Sequence, residues 1–335
     1  MMSNHNSMNN NNDPKIELHL HLEGGAPPKL IRQISKEKNI DISGIFSQDG
    51  HYIFRDFRQF LSVYEAATSV LTSPNDFYRL TKAVLEQSAQ NGVIYTEAFL
   101  SPDFCGGSDM AAWRDHLAAI EEAATEARHE WGITMRGIVT CIRHFGPQKA
   151  KNAALCAAET ANEFIRGFGM GGDETFGTQG NYSYSFDLAR EAGLKLTTHA
   201  GEWGGAESIR QATEDLKVER LGHGVQVIED LSLVKKIIEK DITLEVCPGS
   251  NVALSIFPNI KSHPIAKLRE MGVKVTVSTD DPPFFHTTMC QEYERLTDAF
   301  NWEQDDFKEL NKAAVSAAFC DDETKVRLLK ELDTK

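Results

Sequence analysis

Apolar residues are distributed along this chain in short β-rich runs separated by longer helical ones. The runs are IELHLHL (16–22), VIYTEAFL (93–100), ITMRGIVTCI (133–142), EFIRGFGM (163–170), LKLTTHA (194–200), ERLGHGV (219–225), ITLEVCP (242–248) and VKVTVST (273–279). From the second onward their centres recur at roughly 25–40 residues, the spacing of βα units. Between them the pattern turns helical. SPNDFYRLTKAVLEQSAQNG offers Ser73 as N-cap, Pro74 at the first helical position and Gly92 just past the end. MAAWRDHLAAIEEAATEARHEWG is a long Ala/Glu-rich helix closed by Gly132, and DLSLVKKIIEKD and HPIAKLREMG behave similarly. Eight strands alternating with helices, undivided by a linker, predict an α/β chain forming one (β/α)8 TIM barrel over residues 14–335. A doubly wound sheet is the alternative.

The first gap is too long for one helix. It holds PPKLIRQISKEKN and then DFRQFLSVYEAATSVL, whose Phe57, Phe60, Leu61, Tyr64 and Thr68 share a helical face. Extra helices inserted after strand one would lie at the barrel mouth. That apolar face then either packs on the barrel or covers a ligand, and the two roles are compatible.

Composition narrows the partners. With 335 residues, 41% of them hydrophobic, the chain can bury a large core. A net charge of -14 with no long basic tract disfavours nucleic acid, whose phosphates need clustered Lys and Arg. No run approaches the eighteen or so apolar residues that span a membrane. Residues 1–13, MMSNHNSMNNNND, are Asn-rich and lack a signal-peptide core, so they read as a disordered tail of a cytoplasmic protein. The six cysteines, at 105, 141, 156, 247, 290 and 320, show no CxxC spacing and read as reduced, mostly buried thiols.

The candidate chemistry lies where polar residues interrupt the strands. His19 and His21 stand at i and i+2, so both point to one face of strand one, with Cβ atoms roughly 6.6–7 Å apart. Either histidine alone reads most simply as a hydrogen-bonded structural residue. Further groups change that balance. Strand five ends THAGE, giving His199 and Glu202. Strand six ends GHG, placing His223 between two glycines, and strand eight ends STDDP, giving Asp280 and Asp281. All fall at C-terminal strand ends, where barrels build their sites. Paired buried carboxylates are costly unless a cation or proton offsets them. Three histidines and a carboxylate suit a zinc ion, which acidifies water. A carboxylic acid, a histidine and a second aspartate are left for proton transfer, and the set predicts metal-assisted hydrolysis. A cytidine-deaminase type of zinc site needs HxE with PCxxC, and the chain has neither. Strand four carries no lysine for a carboxylated bridge between two metals, which favours a mononuclear site.

HLHLEG, THAGE, ERLGHG, CPGSN and STDDP, with CIRH (141–144) and GGDE (171–174), closely resemble the adenosine deaminase branch of the amidohydrolase superfamily, in matching order from Lys15 to Asp281. The resemblance implies one Zn²⁺ per chain on His19, His21, His199 and Asp280. It implies Glu202 as the acid that protonates a purine N1, and His223 orienting the attacking water and managing its proton. Asp281 would hydrogen-bond that water and N7, and the Gly172 N–H would meet N3. Glu23, Phe57 and Phe60 complete the expected substrate contacts. The implied reaction is deamination of adenosine or 2′-deoxyadenosine, with adenine or another 6-aminopurine as the alternative. Two positions depart from the adenosine pattern: HLEG stands where HLDG is usual, placing Glu23 where an aspartate would reach the ribose, and GMGGDE lacks an acidic residue at Gly169.

Overall fold

Every run read as a strand forms one in the computed structural model, which describes residues 13–334. They are β1 Lys15–His21, β2 Val93–Leu100, β3 Thr134–Ile142, β4 Ile165–Gly171, β5 Lys195–Ala200, β6 Arg220–His223, β7 Thr243–Val246 and β8 Val275–Val277. All pair in parallel and in chain order, β1 to β8. The ring closes just past β8: the His21 N–H donates to the Asp280 carbonyl at 3.0 Å, and the Asp280 N–H to the His19 carbonyl at 3.1 Å. That closure selects the TIM barrel over a doubly wound sheet. The expected tail at 1–13 lies, but for Asp13, outside the described residues.

Helices cover the outside. In order they are α1 Pro28–Lys38, α2 Phe57–Thr68, α3 Pro74–Gln90, α4 Met110–Trp131, α5 Pro147–Glu159, α6 Ser183–Glu191 and α7 Gly205–Gln211. Then come α8 Leu231–Glu239, α9 Pro248–Ala253, α10 Ile265–Glu270, α11 Met289–Phe300, α12 Gln304–Ala317 and α13 Asp322–Thr334. Local chemistry sets the boundaries. Ser73 accepts from the Asp76 N–H and Asp76 answers to the Ser73 N–H, a reciprocal cap on α3, while Gly132 ends α4 at φ 75°. The extra helices after β1 are α1 and α2. Among the described residues no helix is long and apolar enough to cross a membrane.

The strands are almost wholly buried, and even their charged residues are paired inside. Arg220 on β6, 1% exposed, bridges Glu97 on β2 and Glu245 on β7, each at 2.6 Å. This triad sits beneath the strand ends where the polar residues gather. All six cysteines are free and buried, as the sequence leads one to expect.

Candidate active site

His19 and His21 alternate inward along β1, and His199 reaches the same point from β5. His21 Nε2 lies 3.1 Å from His199 Nε2, and Asp280 Oδ1 lies 3.3 Å from both His19 Nε2 and His21 Nε2. Together these four residues form a group able to hold a metal ion. Donor atoms that share one zinc ion, each at about 2.0–2.1 Å from it, would lie within about 4.2 Å of one another. The separations of 3.1, 3.3 and 3.3 Å meet that requirement.

The outer partners decide which atoms face inward. His19 Nδ1–H donates to Glu245 Oε2 at 2.8 Å, which leaves His19 Nε2 as a bare lone pair, buried and without a hydrogen-bond partner. His199 Nδ1–H donates to the Met170 carbonyl at 2.8 Å, so its Nε2 is also a lone pair. Asp280 Oδ2 accepts from Ser250 Oγ at 2.7 Å, turning Oδ1 toward the histidines. Lone pairs and a carboxylate oxygen converging in a buried space repel one another unless a cation lies among them. The donor set therefore fits zinc. With only protons present, His19 is pulled down by burial but held up at about 9 by Asp280 and Glu245.

Backbone geometry shows how tightly the strand ends are shaped. His223 and Asp280 both adopt left-handed conformations, φ 60° and 68°, which side-chain-bearing residues avoid unless the surroundings enforce them. A Cβ on Gly24 would lie 1.5 Å from Asp281 Oδ1, so only glycine leaves room for that carboxylate.

Glu202 and Asp281 face the same space. Each has an oxygen that is buried and unpartnered, Glu202 Oε1 and Asp281 Oδ1. Burial, then Asp280 and Glu174, push the Glu202 carboxyl well above the usual range. Burial, then Asp280, Glu202 and Glu23, do the same for Asp281. Both side chains are suited to stay protonated and donate. His223 Nε2 lies 3.7 Å from Glu202 Oε2 and 3.8 Å from Asp280 Oδ2.

These groups open into a cavity of about 60 Å³. His21, His199, Glu202, His223, Asp280, Asp281 and Gly172 form its floor and one wall, and Phe57, Phe60, Leu61 and Tyr64 of α2 form its roof with Phe104 and Leu254. The aromatic face of α2 both packs and covers: the Phe60 ring lies tilted 5.2 Å from Phe285 and the Phe57 ring 5.2 Å from Trp203 while they line the cavity. Thr68 is buried away from the cavity. Glu23, 2% exposed, is not among the lining residues. Its Oε1 accepts from the Ser101 N–H at 3.4 Å, and burial raises it to about 7. It stands close to Tyr64, whose phenol is pushed up by burial, then by Glu23, Asp281 and Asp280.

Several supporting residues escape a reading of sequence alone. Glu245 orients His19, and Ser250 orients Asp280. Glu174, in the GGDE segment, accepts the N–H groups of Gly201, Glu202 and Trp203 at 2.6, 3.0 and 2.7 Å and so fixes the loop that carries Glu202. His144 borders the cavity and accepts the Asp173 N–H at 3.2 Å, whereas Arg143 turns away to the carbonyls of Phe176 and Gly177. Cys247 keeps its proton: burial, then Asp280 and other carboxylates, push the thiol up, and Sγ points to the Glu245 carbonyl at 3.8 Å.

The sequence profile of the adenosine deaminase family matches residues 14–335. The chain belongs to the adenosine deaminase family. Within it, an adenine deaminase of Rhizobium rhizogenes is 44% identical over 319 residues, covering 95% of this chain and 98% of its own. One from Agrobacterium fabrum is 42% identical over the same length, covering 95% and 97%. Among solved structures, an adenine deaminase of Arthrobacter aurescens superposes with a TM-score of 0.86 at 27% identity, covering 96% of this chain and 98% of its own. The adenosine deaminase family membership makes this chain a hydrolytic deaminase. The expectation of adenosine as first substrate is not what these relatives support; they favour the adenine alternative.

Proposed function

We propose that this protein is a zinc-dependent adenine deaminase, hydrolysing adenine to hypoxanthine and ammonia. The observation that carries the reading is the 44% identity, over nearly the whole of both chains, to an adenine deaminase. Two features of the site support it. Phe57, Phe60, Leu61 and Tyr64 of α2 line the cavity with an apolar cover that suits a flat, uncharged heterocycle. Glu23 stands where the resemblance would place a ribose-contacting aspartate, but it is buried, accepts from the Ser101 N–H and does not line the cavity.

In this reading His19, His21, His199 and Asp280 hold one zinc ion. When bound, zinc supplies a nucleophile from water at neutral pH. The chain's own residues do the rest. Protonated Glu202 donates to N1 of the purine, which draws electron density from C6 and makes that carbon electrophilic. Asp281 donates to N7, so two neutral acids hold the ring in one plane, with the Gly172 N–H at N3. His223 faces the attacking oxygen. Attack makes C6 tetrahedral, the C6–N6 bond breaks, and ammonia leaves with the protons the site returns. The roof of α2 excludes bulk water meanwhile.

The test is to follow ultraviolet absorbance and ammonia release by purified zinc-loaded protein with adenine, adenosine, 2′-deoxyadenosine and N6-substituted adenines. Adenine is expected to have the highest kcat/KM. Adenosine turning over while adenine stays inert would overturn the proposal.

A further inference from the structure

His223 is held from behind by a chain of buried hydrogen bonds that has no part in the roles assigned above. The Ile265 N–H donates to His263 Nδ1 at 3.2 Å, His263 Nε2 faces Asn251 Oδ1 at 3.1 Å, and Asn251 Nδ2 faces His223 Nδ1 at 3.2 Å. All three side chains are nearly inaccessible, at 3%, 0% and 1% exposed. The polarity of the chain is set by its first member. A backbone N–H can only donate, so His263 Nδ1 must accept and its proton must sit on Nε2. That proton requires an acceptor, which orients the Asn251 amide with its oxygen toward His263. The amide nitrogen is then the only group left to face His223, so His223 Nδ1 must accept. Burial pushes His263 down to about 3, so it stays neutral and the direction does not reverse.

We infer that His263 and Asn251 are positioning residues that fix His223 as the tautomer protonated on Nε2, making it a hydrogen-bond donor to the attacking oxygen rather than its base. The inference rests on the deaminase reading for its chemistry, while the tautomer itself rests on geometry alone. Asn251 follows Ser250 on α9, so one short helix sets both the face of Asp280 and the proton of His223. His223 holds a left-handed backbone, φ 60°, and its Nε2 lies in the site, 3.7 Å from Glu202 Oε2.

The test uses the full-length zinc-loaded protein labelled with ¹⁵N-histidine, and reads the two ring-nitrogen shifts of His223, assigned with a His223→Asn control, beside kcat, KM and zinc content. Wild type should show Nδ1 unprotonated and Nε2 protonated. Asn251→Asp, nearly isosteric, presents an acceptor to both histidines. It should move the His223 proton to Nδ1 and lower kcat on adenine by about 100-fold, with KM changed by less than about threefold and zinc retained, as for loss of an outer partner. His263→Gln keeps a donor toward Asn251 and should stay within about threefold of wild-type kcat, whereas His263→Phe should fall with Asn251→Asp. Unchanged His223 shifts in Asn251→Asp, equal losses in His263→Gln and His263→Phe, or zinc lost along with kcat would each overturn the inference. If Asn251→Asp does not fold, the His263 pair decides. Wild-type protein inert on adenine would sink the proposed substrate and leave the tautomer to be judged by the shifts.

Discussion

Glu245 Oε2 lies 2.8 Å from His19 Nδ1, and this contact decides which nitrogen of His19 is free to bind a metal. The carboxylate is itself anchored by Arg220, so the orientation of a strand-one histidine is set by strands six and seven. Glu245→Gln weakens both contacts without changing side-chain length. Zinc affinity should fall by about 10–100-fold, as for other outer-sphere partners of metal-bound histidine. Competition against a chromogenic chelator measures it, and an unchanged affinity would show that His19 needs no such partner.

Gly24→Ala places a methyl group where Asp281 Oδ1 now stands. The carboxylate must swing away, and kcat/KM should drop by about 100-fold, a loss of roughly 2.7 kcal/mol in transition-state binding. Zinc content should stay at the wild-type level, since the proposed ligands are untouched. Kinetics and metal analysis on the same sample separate the two.

Glu202→Gln should retain zinc but lower kcat by about 10²–10⁴-fold, the contribution of a positioned acid. The pH dependence has a definite sign. Burial and nearby carboxylates raise the Glu202 pKa, and the protonated form is the one that donates. Activity should therefore be level below that pKa and decline as pH rises through it. A kcat profile that falls only on the acid side would remove Glu202 from this role.

The polar residues that announced the site are those that break a strand pattern. His19 and His21 are legible because two imidazoles one residue apart must share a face of an otherwise apolar strand. Glu245 carries the same signature in ITLEVCP, a single charge amid apolar neighbours, yet a lone interruption does not say what it pairs with. Asn251 and His263 meet across a loop with no periodicity to align them. The orientation of Glu23 was hidden for a different reason: β1 ends at His21, and beyond it strand alternation no longer dictates direction. The choice between adenosine and adenine is not legible in GGDE and STDDP, because the resemblance assigns those motifs to the purine ring, which the two substrates share.

Glu23→Asp withdraws one methylene from beside Tyr64 and Ser101. Adenosine turnover relative to adenine should rise by about tenfold, close to the worth of one methylene's space in a packed pocket. The ratio of the two kcat/KM values reads it directly, and a fixed ratio would separate Glu23 from specificity.

His263 gives the fold itself a pH dependence. Its pKa is about 3 when folded and near 6.5 when exposed, so the stability it contributes is present above 6.5 and is lost as pH falls toward 3. His263→Gln cannot titrate there. The unfolding free energy of wild type, measured by denaturant titration, should fall more steeply between pH 7 and pH 5 than that of the variant, by an amount on the order of 1–2 kcal/mol.

Asp280 joins the last strand to the first through its own backbone, so the seam of the barrel and the proposed metal site are one place. A nascent chain that has not yet produced β8 holds the three histidines but lacks the carboxylate and the seam that draw them together. Zinc capture at the proposed site would thereby wait for β8, and a ribosome-bound fragment ending before Val275 should bind zinc far more weakly than the full chain. In the finished protein, chelation would loosen the ring where it was sewn last.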